Sequence, residues 1–306
     1  MDKISFYEHL LHRLAHWLPF YFCILIVAET IFLLVRFKKV FGEETRVNLV
    51  TGFISIAAQG VLKTVLLGSI YPAVYEYRLF QLGLEWPAWV VGFLLYAFIQ
   101  FGTHLLYHKV RLFWCLHEVH HSATEMNITT GLRTSVFDVV SLDLFYLLIP
   151  LVGVHPLVYF ILYTINKFWG TFIHISDKIA GRIPFMEYVI VTPSAHQVHH
   201  ARNTRYLDKN YGELVPWFDM LFHTYEKETE KPVYGTLKVQ QPIGFWESQL
   251  HEIRSLGRDF RLARSRINKL KFLFMPPGWK PGSYRQTASF LQKKQQIKNK
   301  YRNGNE

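Results

Sequence analysis

Nine of the fifteen histidines fall into an ordered pattern: His104-x3-His108, then His117-x2-His120-His121, then a lone His174, then His196-x2-His199-His200. Positions i, i+3 and i+4 share one face of a helix, so each cluster aims two or three imidazoles at one point without special backbone geometry. Neutral imidazole suits iron, zinc, copper or nickel. The two cysteines, Cys23 and Cys115, lie in an apolar run and beside a histidine cluster, with no C-x-x-C spacing that would make a thiolate zinc site. Two metal ions need about eight or nine ligands, so the pattern predicts a di-metal site, with iron favoured and zinc an alternative occupant. Soluble di-iron bundles take a Glu-x-x-His motif from each of two helices together with further Glu ligands; here that spacing occurs once, at Glu118 and His121 inside a histidine cluster, and the pattern is histidine-based instead.

The remaining histidines carry weaker arguments. His174 is single, and a lone histidine near a membrane interface is ordinarily a satisfied polar residue; its place at the end of an apolar hairpin, level with the clusters, makes it a ligand candidate. His9, His12 and His16 have helical spacing but precede the first apolar run, and read as part of an interfacial helix. His155, His223 and His251 suggest no role. Glu118, Asn166, Asn203, Asp208 and Asn210 are candidates to orient the ligand rings, though the same residue types serve as turn formers or solvated acids. No nucleophile-and-base arrangement for hydrolysis accompanies them, and nothing beyond the metal ligands is read as catalytic.

The elements that must position these rings are apolar. Half of the residues are hydrophobic and 16% aromatic, yet the mean hydropathy is only +0.09, so strongly apolar stretches are offset by polar ones. Residues 17–35, with Glu29 their only charge, 48–70, with only Lys63, and 86–103, with none, are each long enough as helices to cross about 30 Å of hydrocarbon. The first reads as a retained span rather than a cleaved signal. Residues 136–174 read as a membrane hairpin broken at Gly153-Val154-His155-Pro156. The expected fold is an all-α integral membrane protein with about four to five membrane-embedded helices and a cytosolic, histidine-rich helical cap. Its parts are an N-terminal transmembrane region (1–103), a catalytic region (104–240) and a basic cytosolic tail (241–306).

Charge sets the orientation. The loop 36–46 holds Arg36, Lys38, Lys39 and Arg46, against Arg78 alone in 71–85, which places the first loop, and by counting crossings the histidine clusters and the tail, in the cytoplasm. Residues 250–306 hold 14 Lys/Arg against 3 Asp/Glu, equal to the whole formal net charge of +11. Such a tail is either solvated or drawn to anionic headgroups; nucleic acid is a poor partner for a charge confined to one end of a membrane chain. Its Lys/Gln-rich end, 292–302, reads as disordered.

Residues 96–240 resemble the fatty acid hydroxylase superfamily, also called the sterol desaturase family, and within it the alkylglycerol monooxygenase-like branch. The resemblance is carried by Trp114, His117-Glu118-Val119-His120-His121-Ser122, Asn127, Gly131-Leu132-Arg133, Asn166, Thr192-Pro193-Ser194 before the His196 cluster, Arg202-Asn203, Asp208-Lys209-Asn210-Tyr211-Gly212, Asp219-Met220-Leu221-Phe222 and Tyr234-Gly235. It implies a helical membrane protein with two irons, dioxygen as oxidant and a lipid as substrate. The chain departs from the family pattern at Ala97, Leu105 and Ala195, where Asp, Arg and His are common, and at Phe218 and His223, where Trp and Gly are common.

Cleaving an unactivated C–H bond needs an oxidant that no side chain supplies. The reading is therefore a lipid hydroxylase acting on a fatty acyl, alkyl or sterol chain, delivered through a slot between the apolar spans. With no haem-binding or ferredoxin motif in the sequence, electrons are expected from a separate electron-transfer protein or, by the resemblance, a reduced pterin. A desaturase on the same site and a non-catalytic metal- or lipid-binding membrane protein are the alternatives.

Overall fold

A computed structural model gives the structure of residues 2–38, 42–138 and 142–303, with the side chains of 56, 58–67, 302 and 303 outside the description. Among the described residues every element is helical: α1 (Lys3–Phe37), α2 (Glu43–Glu76), α3 (Trp86–Lys109), α4 (Arg111–His121), α5 (Leu148–Val152), α6 (Pro156–Phe172), α7 (Pro193–His200), α8 (Trp217–Leu221), α9 (Phe245–Leu262), α10 (Arg266–Phe274) and α11 (Ala288–Asn303), with short 3-10 turns at 128–132, 143–147 and 186–188.

Among the described residues, α1 and α3 are long and apolar enough to cross a membrane, two helices rather than four or five. The expected span 48–70 lies in α2, where much of its side-chain content, Lys63 included, falls outside the described residues. Among the described residues the expected membrane hairpin 136–174 does not form two membrane-length arms. Residues 139–141 lie outside the description; beyond them the first arm is a 3-10 turn followed by the five-residue α5. Gly153 ends that arm at φ +112°, where a Cβ would lie 1.9 Å from the Phe80 carbonyl oxygen, so the chain must turn there and only glycine fits. The second arm, α6, has 17 residues, about 25 Å at 1.5 Å per residue, short of the hydrocarbon thickness. Apolar composition alone did not reveal that both arms stop early.

The core of the helical body lies between α3 and α6, where Ala88, Tyr96 and Ala97 meet Val154, Val158, Tyr159 and Leu162. Gly92 lets the helices approach, since a Cβ there would meet Val158 at 3.0 Å and Val154 at 3.1 Å. Ala97, where the family pattern has Asp, is 4% exposed and packs in this core; a carboxylate there would need a partner that these apolar neighbours do not offer.

The tail is folded rather than loose. α9 and α10 lie on α4, with Cys115, Leu256, Phe272 and Trp279 as a second small core. Buried Arg111, at the start of α4, pairs with Glu252 at 2.8 Å and Asp259 at 2.7 Å on α9. The Lys/Gln-rich end, expected to be disordered, is helix α11, and its Gln292 amide donates to the Leu207 carbonyl oxygen at 2.6 Å.

Candidate metal centre

Four helical segments carry the nine histidines to one place. His104 and His108 end α3; one residue later α4 begins and carries His117, His120 and His121; His174 follows the C-terminal end of α6; α7 carries His196, His199 and His200. α7 starts where Thr192 caps it, its hydroxyl accepting from the Ala195 N–H, with Pro193 in the first turn, a proper helix start. The structure sorts the nine rings into two groups that could each hold a metal ion: His104, His108, His117, His121 and His199 in one, His120, His174, His196 and His200 in the other, the ligand atoms of each within 4.8 Å of one another.

The nitrogens point inward. In the five-histidine group Nε2 of His117 stands 3.0 Å from Nε2 of His104 and 3.1 Å from that of His121. In the four-histidine group the Nε2 separations are 3.1 Å for His120 to His174, 3.0 Å for His174 to His196 and 3.1 Å for His196 to His200. An ion about 2.0–2.2 Å from each nitrogen would separate neighbouring nitrogens by roughly 3 Å, so the spacing matches the edges of a coordination shell. Nε2 of His108 and of His199 are buried without a hydrogen-bond partner, a costly arrangement unless an ion takes their lone pairs. The donor set fits a pair of imidazole-preferring metal ions.

Backbone carbonyls set the tautomers. Nδ1–H donates to the Tyr211 carbonyl from His104 at 2.7 Å, to Arg133 from His120 at 3.0 Å, to Gly170 from His174 at 2.6 Å and to Lys209 from His199 at 2.9 Å. Each bond leaves Nε2 as the free lone pair. Burial, reinforced by repulsion among the rings, holds His117, His120, His121, His196, His199 and His200 well below the ordinary histidine pKa. They are therefore neutral and ready to ligate.

The five expected orienting residues divide. Asp208 faces the site: its Oδ1 is 3.6 Å from His108 Nδ1 and its Oδ2 is 2.6 Å from Lys109 Nζ. Burial alone would raise Asp208, but the contacts with His108 and Lys109 outweigh it and hold the carboxyl below its usual value. Asn210 braces α7 by donating to the Ala195 and Glu226 carbonyl oxygens. Asn166 donates to Glu213 at 2.6 Å, Asn203 holds a turn through Lys231 and Val233, and Glu118 accepts from Thr236 and pairs with His251; none of these three contacts a ligand ring. His251, given no role from the sequence, is raised above its ordinary pKa chiefly by its hydrogen bond with Glu118. Glu118, His251 and Glu252 form a third acid-and-histidine group, but Glu252 is occupied by Arg111 and Lys238. The carbonyls of Tyr211, Arg133, Gly170 and Lys209 escaped sequence reasoning, because a backbone acceptor has no residue-type signature.

A cavity of about 300 Å³ reaches both groups, lined by His108, His121, His199 and His200 on one wall and by Trp114, Lys238 and the 276–278 and 286–291 segments on others. Part of its lining, from Pro276 to Leu291, comes from the folded tail.

The fatty acid hydroxylase family model matches residues 89–224. The alkylglycerol monooxygenase of Homo sapiens is 35% identical over 221 residues, covering 70% of this chain and 48% of its own. That of Danio rerio is 29% identical over 278 residues, 87% of this chain and 59% of its own. A Delta(7)-sterol 5(6)-desaturase of Aspergillus fumigatus is 24% identical over 196 residues, 55% of this chain and 59% of its own. The chain thus spans about half the length of the curated relatives it matches, and no solved structure matches it. The matched residues contain all nine clustered histidines, so the similarity to the fatty acid hydroxylase family takes in the whole candidate metal centre.

Proposed function

We propose that this protein is a membrane-bound lipid hydroxylase that holds two iron ions on His104, His108, His117, His121 and His199 and on His120, His174, His196 and His200. The observation that carries the reading is the division of nine inward-facing imidazoles into groups of five and four, each matching one ion's shell. When bound, the ions supply the activation of dioxygen that C–H cleavage requires. The protein's own part is to keep the rings neutral by burial, to fix their tautomers through four carbonyls, and to present both groups to one shared cavity. Asp208 steadies His108 and balances part of the positive charge that neutral ligands leave in place. The reduced pterin or electron-transfer protein that completes the cycle, and the delivery of a fatty acyl, alkyl or sterol chain from the membrane with the histidine face cytoplasmic, belong to this reading. The similarity to a sterol desaturase supports a second outcome, removal of a second hydrogen instead of oxygen insertion.

Lipid profiling of host cells carrying the wild-type gene or His121→Ala tests the proposal. A lipid class gaining the mass of one oxygen atom only with wild type is the expected result; loss of two hydrogens would favour desaturation, and identical profiles would oppose both.

A further inference from the structure

α1 is a membrane-length helix in which Glu29 alone is buried. A carboxylate in such a helix is costly and calls for specific partners, and two backbone N–H groups reach Glu29. The Ile128 N–H donates to its Oε2 at 2.7 Å and the Ser176 N–H donates to its Oε1 at 2.7 Å. These donors flank one ligand. Ser176 is two residues beyond His174, and Ile128 opens the 3-10 turn that carries Gly131, whose Cα packs so closely on His174 that a Cβ would lie 3.0 Å from the ring's Nδ1. One carboxylate of α1 thus clamps both walls of the His174 pocket.

α2 repeats the device on the next ligand. Glu44, 3% exposed, accepts from fully buried Arg133 at 2.7 Å and from the Thr124 hydroxyl at 2.6 Å. The Arg133 guanidinium also donates to the Val119 carbonyl and the Ser122 hydroxyl at the end of α4, while the Arg133 carbonyl receives His120 Nδ1–H. His120 and His174 both belong to the four-histidine group. In the five-histidine group the rings themselves are held by other partners, His104 and His199 by the Tyr211 and Lys209 carbonyls and His108 by the Asp208 carboxylate, although His121 shares the α4 end that Arg133 braces. Glu29 and Glu44 both precede residue 89, where the family match begins.

We propose that Glu29 and Glu44 are positioning residues for the four-histidine group alone, acting through His174 and His120, so that the two N-terminal helices are parts of the metal centre as well as anchors. The proposal rests on the two-ion reading above. Glutamine in place of Glu29 keeps the size but replaces one acceptor oxygen by an NH2 group, which cannot accept from an N–H.

The test uses the full chain in lipid nanodiscs, loaded anaerobically with iron and separately with cobalt(II). Wild type should hold two ions. Glu29→Gln should weaken one of them by about tenfold or more, and the cobalt spectrum of the ion that remains should match that of His174→Ala and differ from that of His108→Ala. Two ions held with wild-type affinity would overturn the proposal, as would equal weakening of both. Should Glu29→Gln fail to accumulate as folded protein, Thr124→Val, which removes one donor to Glu44, should weaken the same single ion, and an unchanged pair would again overturn it. Fewer than two ions in the wild type would remove the underlying two-ion reading, a result visible before any variant is compared.

Discussion

Asp208 stands with one carboxylate oxygen 3.6 Å from His108 Nδ1 and the other 2.6 Å from Lys109 Nζ, so a single acid faces a ligand ring and a neighbouring cation together. Asp208 also has φ +57°, a conformation that Asn tolerates and most residues do not. Asp208→Asn therefore removes the charge while keeping the backbone. Its expected effect is a roughly tenfold loss of metal affinity in the five-histidine group, read by competition with a chelator, with the four-histidine group unchanged.

Gly131 tests the opposite wall of the centre. A methyl group there would lie 3.0 Å from His174 Nδ1 and 3.3 Å from its Cγ, with no positive φ to complicate the substitution. Gly131→Ala should displace the His174 ring at a cost of about 1–3 kcal/mol, lowering the occupancy of the four-histidine group while the five-histidine group stays full. Two full groups after substitution would show that the ring has room to yield.

The helical spacing of the clusters made the metal centre legible, because i, i+3 and i+4 put rings on one face whatever the tertiary context. The grouping was not legible: His117 and His120 are on one helix yet serve different groups, a division set by how α4 lies against α3 and α7. The tail misled for a related reason. Its charge reads as a solvated run, but Arg111 on α4 has its acid partners Glu252 and Asp259 more than a hundred residues away, and periodicity does not pair charges over that distance. Glu29 was visible as the only charge in an apolar run, without any sign of what it held.

The Arg111 pairing makes the folded tail testable. Arg111 and Glu252 are both buried; removing Glu252 leaves Arg111 with Asp259 as its remaining acid partner, so the cost is expected below the roughly 3–5 kcal/mol of a buried charge left fully unpaired. Glu252→Ala, or truncation before α9, should lower the unfolding temperature and release metal from the histidines of α4. A truncated chain that unfolds at the wild-type temperature and keeps its metal would make the tail a separate appendage.

Acid should act in one direction. Burial holds the rings of His117, His120, His121, His196, His199 and His200 well below the ordinary value, about 6.5 in an unfolded chain. Above that value neither state binds a proton at these rings; below it the unfolded state does and the folded state does not. The stability of the metal-free protein is thus fully present above about pH 6.5 and falls as the pH drops below it. Bound metal, which also requires neutral rings, should be released over the same range. Thermal unfolding of the metal-free protein between about pH 7.5 and 5.5 should show a falling midpoint, and a flat or rising one would contradict the assignment.

The fate of dioxygen tests the central claim most directly. Membranes containing the iron-loaded protein, given a reductant and isotopically labelled dioxygen, should transfer one labelled oxygen atom into a lipid chain or sterol. His121→Ala and His200→Ala, one from each histidine group, should each abolish the transfer. Consumption of dioxygen with the label appearing only in water and a new double bond in the lipid would contradict hydroxylation. No consumption with any lipid, while both ions are present and reducible, would contradict the assignment of this centre to lipid oxidation.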